Sequence, residues 1–322
     1  MLENNNGTFR DVTDKVAPSL TKPGLVTSAL WSDYNNNGQL DLMLTGEWMP
    51  LMVYQNKGNE LVDVTEQVGL DSTHGWWNTI AAGDFDDDGH TDYVAGNHGL
   101  NSYFKASKDE PVFLYAGDFD STGRIEPVLF HYIKGEISPY PHRDLFCSTM
   151  PEYFNKFITY EDYAKASLND IIPPEQQKKA VHLEAYQLAS CLIDNQGQKG
   201  FKVEELPVQA QFAPLYSFAF QDFNQDNRKD LIVGGNSYSN HYKLGNMEAL
   251  GVIPLRGKDD GSFSSTGKFQ ATGFEQINGD VKAVQSIQTQ TSMDNGKILL
   301  VAQSDGPLEI FRSVPSLDKL EQ

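Results

Sequence analysis

Four segments of this chain fall into one nine-residue register: Asp33-Tyr-Asn-Asn-Asn-Gly-Gln-Leu-Asp41, Asp84-Phe-Asp-Asp-Asp-Gly-His-Thr-Asp92, Asp118-Phe-Asp-Ser-Thr-Gly-Arg-Ile-Glu126 and Asp222-Phe-Asn-Gln-Asp-Asn-Arg-Lys-Asp230. Each sets an oxygen-bearing side chain at positions 1, 3, 5 and 9. Position 6 is Gly in three copies and Asn227 in the fourth. An apolar run follows each copy: Leu42-Met-Leu, Tyr93-Val-Ala, Pro127-Val-Leu and Leu231-Ile-Val. A chain that repeats itself folds by stacking copies of one unit, so the repeat constrains the architecture more than length does.

The register has a chemical reading. Alternate residues of a tight loop point inward, so positions 1, 3 and 5 meet on one centre while position 7 offers its carbonyl. Gly at position 6 permits the sharp turn, and Asn is the best substitute because it tolerates the left-handed conformation. Hard oxygen donors in that number suit structural Ca²⁺. The expected ligands are Asp84, Asp86, Asp88, His90 and Asp92; Asp118, Asp120, Thr122, Arg124 and Glu126; Asp222, Asn224, Asp226, Arg228 and Asp230; and Asp33, Asn35, Asn37, Gln39 and Asp41. Residues at position 7 enter through the backbone. The loop at 84, with four carboxylates, is expected to bind best, and the loop at 33, with two, least. The competing reading is a set of polar hairpin turns, which are rich in the same residues.

β-type runs flank each loop, and those before it are small: Thr27-Ser-Ala, Ile80-Ala-Ala-Gly, Tyr115-Ala-Gly and Ser217-Phe-Ala. Small side chains suit strands that converge near an axis. The expected fold class is therefore all-β: a β-propeller of about five blades, with four or six also compatible with the spacing. The whole chain, 1–322, is read as one propeller domain. The short step between the loops at 84 and 118 suggests that they share a blade. A helical pattern over 141–180 is read as an insertion, with Thr159 and Asp162 as a capping box and Pro174 in a first turn. The last copy, Val281 to Phe311, shows three strands, and Gly7-Thr-Phe-Arg-Asp-Val-Thr13 is expected to supply its fourth and close the ring.

A formal charge of −19 on 322 residues argues against nucleic acid, whose phosphates need Lys and Arg. No apolar run approaches a membrane span. Cys147 and Cys191 are open to pairing or to burial as free thiols. The start, Met1-Leu-Glu-Asn-Asn-Asn, reads as the middle of an element, so the chain is expected to be part of a larger parent protein.

With these loops in view, the chain resembles the FG-GAP/VCBS repeat family, whose blades carry a D-x-D-x-D-G-x-x-D calcium loop. More narrowly it is similar to the last propeller of large Bacteroidetes VCBS-repeat proteins that carry an ASPIC/UnbV domain. Gly46-Glu-Trp-Met-Pro50, Gly75-Trp-Trp-Asn78, Gly96-Asn-His-Gly-Leu-Asn101, Arg143-Asp144, Tyr160-Glu-Asp-Tyr-Ala164 and Pro207-Val-Gln-Ala-Gln-Phe-Ala-Pro214 carry that likeness. The resemblance implies an exported module at the cell surface, engaged in adhesion or recognition of a glycan or protein.

Candidate ligand-contacting residues are Trp48, Trp76, Trp77 and Tyr238 for stacking, with Asn97, His98, Asn101, Arg143 and His241 for hydrogen bonds. Each also has a structural reading, as blade packing or turn. The enzymatic alternative is a polysaccharide lyase or glycoside hydrolase. Glu47, Asp144, Glu161 and Asp162 are available carboxylates, and His98, His142 and Arg143 suit a lyase, but no spacing fixes a pair. A purely structural docking domain is the third reading.

Overall fold

The computed structural model describes residues 1–223, 226–238, 245–249, 251–265, 277, 279–288 and 297–312. Two compact units result: Met1–Ser72, Trp76–Ser102 and Ala189–Gln322 form one, and Thr73–Gly75 with Tyr103–Leu188 the other.

In the first unit, after the N-terminal two-stranded hairpin, four antiparallel sheets follow one another among the described residues. The first holds Leu25–Ser32, Asp41–Met49, Met52–Asn56 and Leu61–Asp63, with the two-residue strand Gly75–Trp76 paired to Asp41–Met49. The second holds Thr79–Gly83, Asp92–Gly96, Cys191–Asn195 and Phe201–Glu205. The third holds Leu215–Gln221, Asp230–Gly235, Val252–Gly257 and Phe263–Ser265, and the fourth Val281–Gln288, Lys297–Gln303 and Glu309–Arg312. The leading strand of each sheet packs against that of the next: Leu25–Ser32 on Thr79–Gly83, that strand on Leu215–Gln221, and that in turn on Val281–Gln288. Fold class is thus all-β and of propeller type, built from blades that stack face to face.

That stacking explains the apolar runs. A strand between two sheets is buried on both faces, so its side chains alternate between neighbours rather than between core and water. Tyr93 and Ala95 join Met43, Val53 and Trp77 against the first sheet, while Val94 joins Leu215, Leu231 and Val233 against the third. Ile232 points the other way, onto Val281, Val284 and Val301 of the fourth. Full burial of one such side chain contributes about 1.5–3 kcal/mol. The small residues of the leading strands have a second use. Thr27 Oγ1 donates to the Trp77 carbonyl at 2.8 Å, and Ser217 Oγ accepts from the Val284 amide at 2.9 Å, each stitching one blade to the next. Gly96 must be Gly for close approach: a Cβ there would lie 2.5 Å from the Leu215 carbonyl oxygen.

The second unit carries its own sheet, ordered Glu136–Pro139, Glu126–Ile133, Val112–Gly117, Val181–Ala185. Short helices Arg143–Thr149, Tyr160–Ala164, Leu168–Ile171 and Pro174–Gln177 accompany it. Thr159 and Asp162 form a complete capping box, and Ser167 with Asp170 forms another. Phe113, Phe130, Phe146, Met150, Tyr153, Phe157 and Ile171 make its core. Cys147 lies in that core, Cys191 in the core of the other unit, and both are free thiols. Among the described residues no helix is long and apolar enough to cross a membrane.

Three expectations need correction. The loops at 84 and 118 do not share a blade: residues 103–188 leave the second sheet after its second strand and return before its third, carrying the 118 loop into the second unit. The chain is therefore not one undivided domain, and the insertion is wider than its helical part at 141–180. Finally, Thr8–Asp11 does not complete the last blade. It pairs with Leu2–Asn5 through Asn6-Gly7, whose φ of 52° and 89° suit a two-residue hairpin turn. The Asn-Gly turn satisfies that strand locally. Among the described residues the fourth sheet has three strands.

Candidate metal centres

All four loops join the first and second strands of a hairpin, and at their described positions they share one backbone solution. Position 6 is left-handed throughout: Gly38 82°, Gly89 85°, Gly123 82° and Asn227 67°. Position 4 is left-handed too in Asn36 (56°), Asp87 (58°) and Ser121 (59°), a feature signalled only by the Asn, Asp and Ser found there. The position 1 carboxylate accepts the position 6 amide in each: Gly38 to Asp33 at 2.7 Å, Gly89 to Asp84 at 3.2 Å, Gly123 to Asp118 at 3.0 Å and Asn227 to Asp222 at 2.9 Å.

Carboxylates converge in two of the loops. Ligand atoms of Asp84, Asp86 and Asp88 lie within 4.8 Å of one another, as do those of Asp118, Asp120 and Glu126. Asp84 Oδ1 is buried without a hydrogen-bond partner. Burial first, then the charges of Asp88, Asp194 and Asp84, push the Asp86 carboxyl above its ordinary range. A hard, anionic oxygen donor set with one buried oxygen lacking a hydrogen-bond donor fits a divalent cation. In the 33 loop, Asn35 Oδ1 accepts the Asn37 amide at 3.1 Å, Asn37 Oδ1 that of Gln39 at 2.8 Å, and Asp41 Oδ2 is buried without a partner.

Position 9 has a role that sequence reasoning missed. Asp92 accepts the Phe85 amide of its own loop at 3.1 Å and the Asn195 amide of the third strand at 2.9 Å. Asp230 does the same with Phe223 and Gly257, both at 3.0 Å, and Asp41 takes Asn56 at 2.7 Å. These carboxylates clamp loop to sheet. Burial pushes Asp92 up to about 6 despite both amides. Glu126, one methylene longer, takes only the Phe119 amide, at 3.4 Å, and reaches the cluster instead.

The 222 loop departs in charge. Arg228 donates to Asp226 at 2.7 Å and to Asp259 at 2.7 Å, so a guanidinium already neutralises its position 5 carboxylate. Lys229 donates to the Asp84 carbonyl, and Asn36 Nδ2 to the Gly89 carbonyl at 2.9 Å, so the three loops of the first unit touch in one acidic rim. Asn224 lies outside the described residues.

The candidate ligand residues separate into distinct places. Trp77 is fully buried in the core between the first two sheets. Asn97 is fully buried as well; its Oδ1 accepts the Trp76 and His98 amides at 3.2 and 2.8 Å. Both are structural, a correction to the recognition role expected of them. Trp48, at a φ of 64° that bulky side chains rarely adopt, sits edge-on to Trp76 at 5.1 Å, and Trp76 edge-on to His98 at 5.0 Å. Burial pushes His98 down to about 4. Arg143 is a latch inside the second unit, donating to the carbonyls of Phe157 at 2.6 Å and Ile158 at 3.0 Å, which corrects its assignment to ligand. Asp144 accepts from Tyr160, Glu161 pairs with Lys165, and Asp162 caps its helix, so these carboxylates serve local structure. His241 lies outside the described residues.

Asn101 is exposed and lines a groove of about 670 Å³ with Leu100, Val208, Gln209, Phe212, Glu248 and others. Gln209 Oε1 is buried there without a hydrogen-bond partner. Leu100, Val208 and Phe212 are exposed apolar side chains beside those polar groups. Tyr238 belongs to the same neighbourhood: partial burial, then Glu248, raise its hydroxyl above the usual range.

No curated protein matches the chain. A solved structure of an Agrocybe aegerita lectin, described as recognising non-reducing terminal N-acetylglucosamine, is similar at 14% identity over 92% of this chain and 83% of that one. Its TM-score of 0.23 is too low to carry an argument. Residues 33–95, which hold the first two loops and the strands around them, match the FG-GAP-like repeat.

Proposed function

We propose that this chain is a non-enzymatic recognition module, braced by calcium and displayed outside the cell, that binds a saccharide in the groove at Asn101. The groove carries the reading. Amide and carboxylate groups of Asn101, Gln209 and Glu248 stand beside the exposed apolar faces of Leu100, Val208 and Phe212. That composition suits a ligand with hydroxyls on one side and C–H groups on the other.

Calcium supports the scaffold in this reading. Asp84, Asp86 and Asp88 would hold one ion and Asp118, Asp120 and Glu126 another, turning carboxylate repulsion into a tether. Millimolar calcium outside cells suits loops of this affinity class. A ligand that binds only the native state stabilises by about 2.7 kcal/mol at a hundredfold excess over Kd. Calcium is therefore expected to raise the melting temperature, with Asp86→Ala removing more of the gain than Asn35→Ala. Identical melting curves in EDTA and in millimolar Ca²⁺ would remove calcium from the account. Glycan-array binding that weakens at least tenfold in Asn101→Ala is the expected result for the groove; binding indifferent to that change would rule the groove out.

A further inference from the structure

The second unit contains a cavity that the repeat pattern does not anticipate. Its volume is about 850 Å³, and its walls are the 118 loop, through Asp120, Thr122, Arg124 and Glu126, and the segment Leu145 to Pro151. Val128, Leu145, Phe146 and Met150 supply apolar lining, and Ser148 and Thr149 add hydroxyls.

The cavity has a structural origin. In the other three loops the third strand runs past position 9 and gives it an amide, from Asn56, Asn195 or Gly257. In the second unit the third strand is Glu136–Pro139, and Pro139 faces Phe130. Four further residues would be needed to reach the position opposite Glu126. The chain instead turns away into the helix Arg143–Thr149. Where the third strand stops an opening remains, lined by Asp120 and the longer Glu126, 9% exposed, on which Asp118 converges from behind the lining. Arg124, at position 7, is exposed and is the one cationic side chain lining the space among the described residues.

We propose that this cavity is a second ligand site, in which a divalent cation on Asp118, Asp120 and Glu126 is completed by the carboxylate of an acidic sugar, a uronate, with Arg124 as its second partner. The proposal rests on the calcium reading of the 118 loop. Position 9 of this loop faces a space of about 850 Å³, large enough for a hexose ring. The carboxylate meets the cation and Arg124, hydroxyls reach Ser148 and Thr149 oxygens, and the C–H face lies on Leu145 and Val128.

Isothermal titration of the full chain with trigalacturonate, in calcium and in EDTA, tests it, with terbium luminescence reporting metal occupancy. Binding is expected in calcium, at least tenfold weaker in EDTA, in Arg124→Ala and in the cavity-filling Leu145→Trp, and absent for a neutral galactose trisaccharide. Leu145→Trp should keep the terbium signal. Metal signal without trigalacturonate binding, or wild-type affinity in Arg124→Ala and Leu145→Trp, overturns the site and leaves the calcium reading standing. Absence of any metal signal overturns both.

Discussion

The two ends of one strand, Asp92–Gly96, meet the same need with opposite chemistry. At its start, Asp92 gives acceptors to the Phe85 and Asn195 amides. Just past its end, Asn97 gives one oxygen to the Trp76 and His98 amides, while its own amide donates to Ser190 Oγ at 2.9 Å. The third sheet repeats the pair. Asp230 takes Phe223 and Gly257, and Asn236 accepts from Ala249 at 2.8 Å and donates to the Gly279 carbonyl at 3.0 Å. A carboxylate serves at the loop end, where one amide of the loop and one of the third strand share its charge. A neutral amide serves at the other end, where Asn97 and Asn236 are fully buried and an unpaired buried charge would cost several kcal/mol. The repeat thus separates an electrostatic end from a packed end.

The packed end should yield the largest effect. Trp77→Ala removes a fully buried indole and should cost about 3–5 kcal/mol by urea denaturation. A loss below about 1 kcal/mol would mean that the blades do not lock there. Next comes acid sensitivity. Burial holds His98 down to about 4, against about 6.5 when unfolded, so its contribution is complete above pH 6.5 and lost as pH falls through 4. The loss amounts to about 3 kcal/mol, and His98→Gln should flatten the stability profile across that window. An unchanged profile would contradict burial as the cause. The smallest effect sharpens the electrostatic end. Arg228→Ala removes half-exposed ion pairs worth roughly 1 kcal/mol or less. It takes the guanidinium away from Asp226, and if calcium occupies these loops as proposed, bound terbium should rise by one equivalent per chain. Unaltered stoichiometry would show that the guanidinium is not what holds the cation out.

Much of this was legible in the residues themselves. The loop register is local: alternation sets positions 1, 3 and 5 inward, and a left-handed position 6 follows from Gly or Asn, as the 67° of Asn227 shows. The apolar runs announced strands, and Thr159 with Asp162 announced its helix cap. The groove residue Asn101 was legible as polar and loop-borne. Other features depend on partners distant in the chain. Whether Trp77 stacks on a ligand or fills a core is decided by Met43, Tyr93 and Ile193, which come from two different sheets. The amides that clamp position 9 are remote as well: Asn195 lies in a strand that resumes only after residues 103–188.

By itself the sequence determined the turns, the donor sets and the strands, because those follow from backbone geometry and side-chain chemistry within about ten residues. Tertiary structure alone decided where the second unit leaves the second sheet, that Thr8–Asp11 folds back on Leu2–Asn5, and that Glu126 faces a cavity where its counterparts face a strand. Those outcomes depend on which backbone arrives to satisfy an amide or fill a space, and segments remote in the chain supply it.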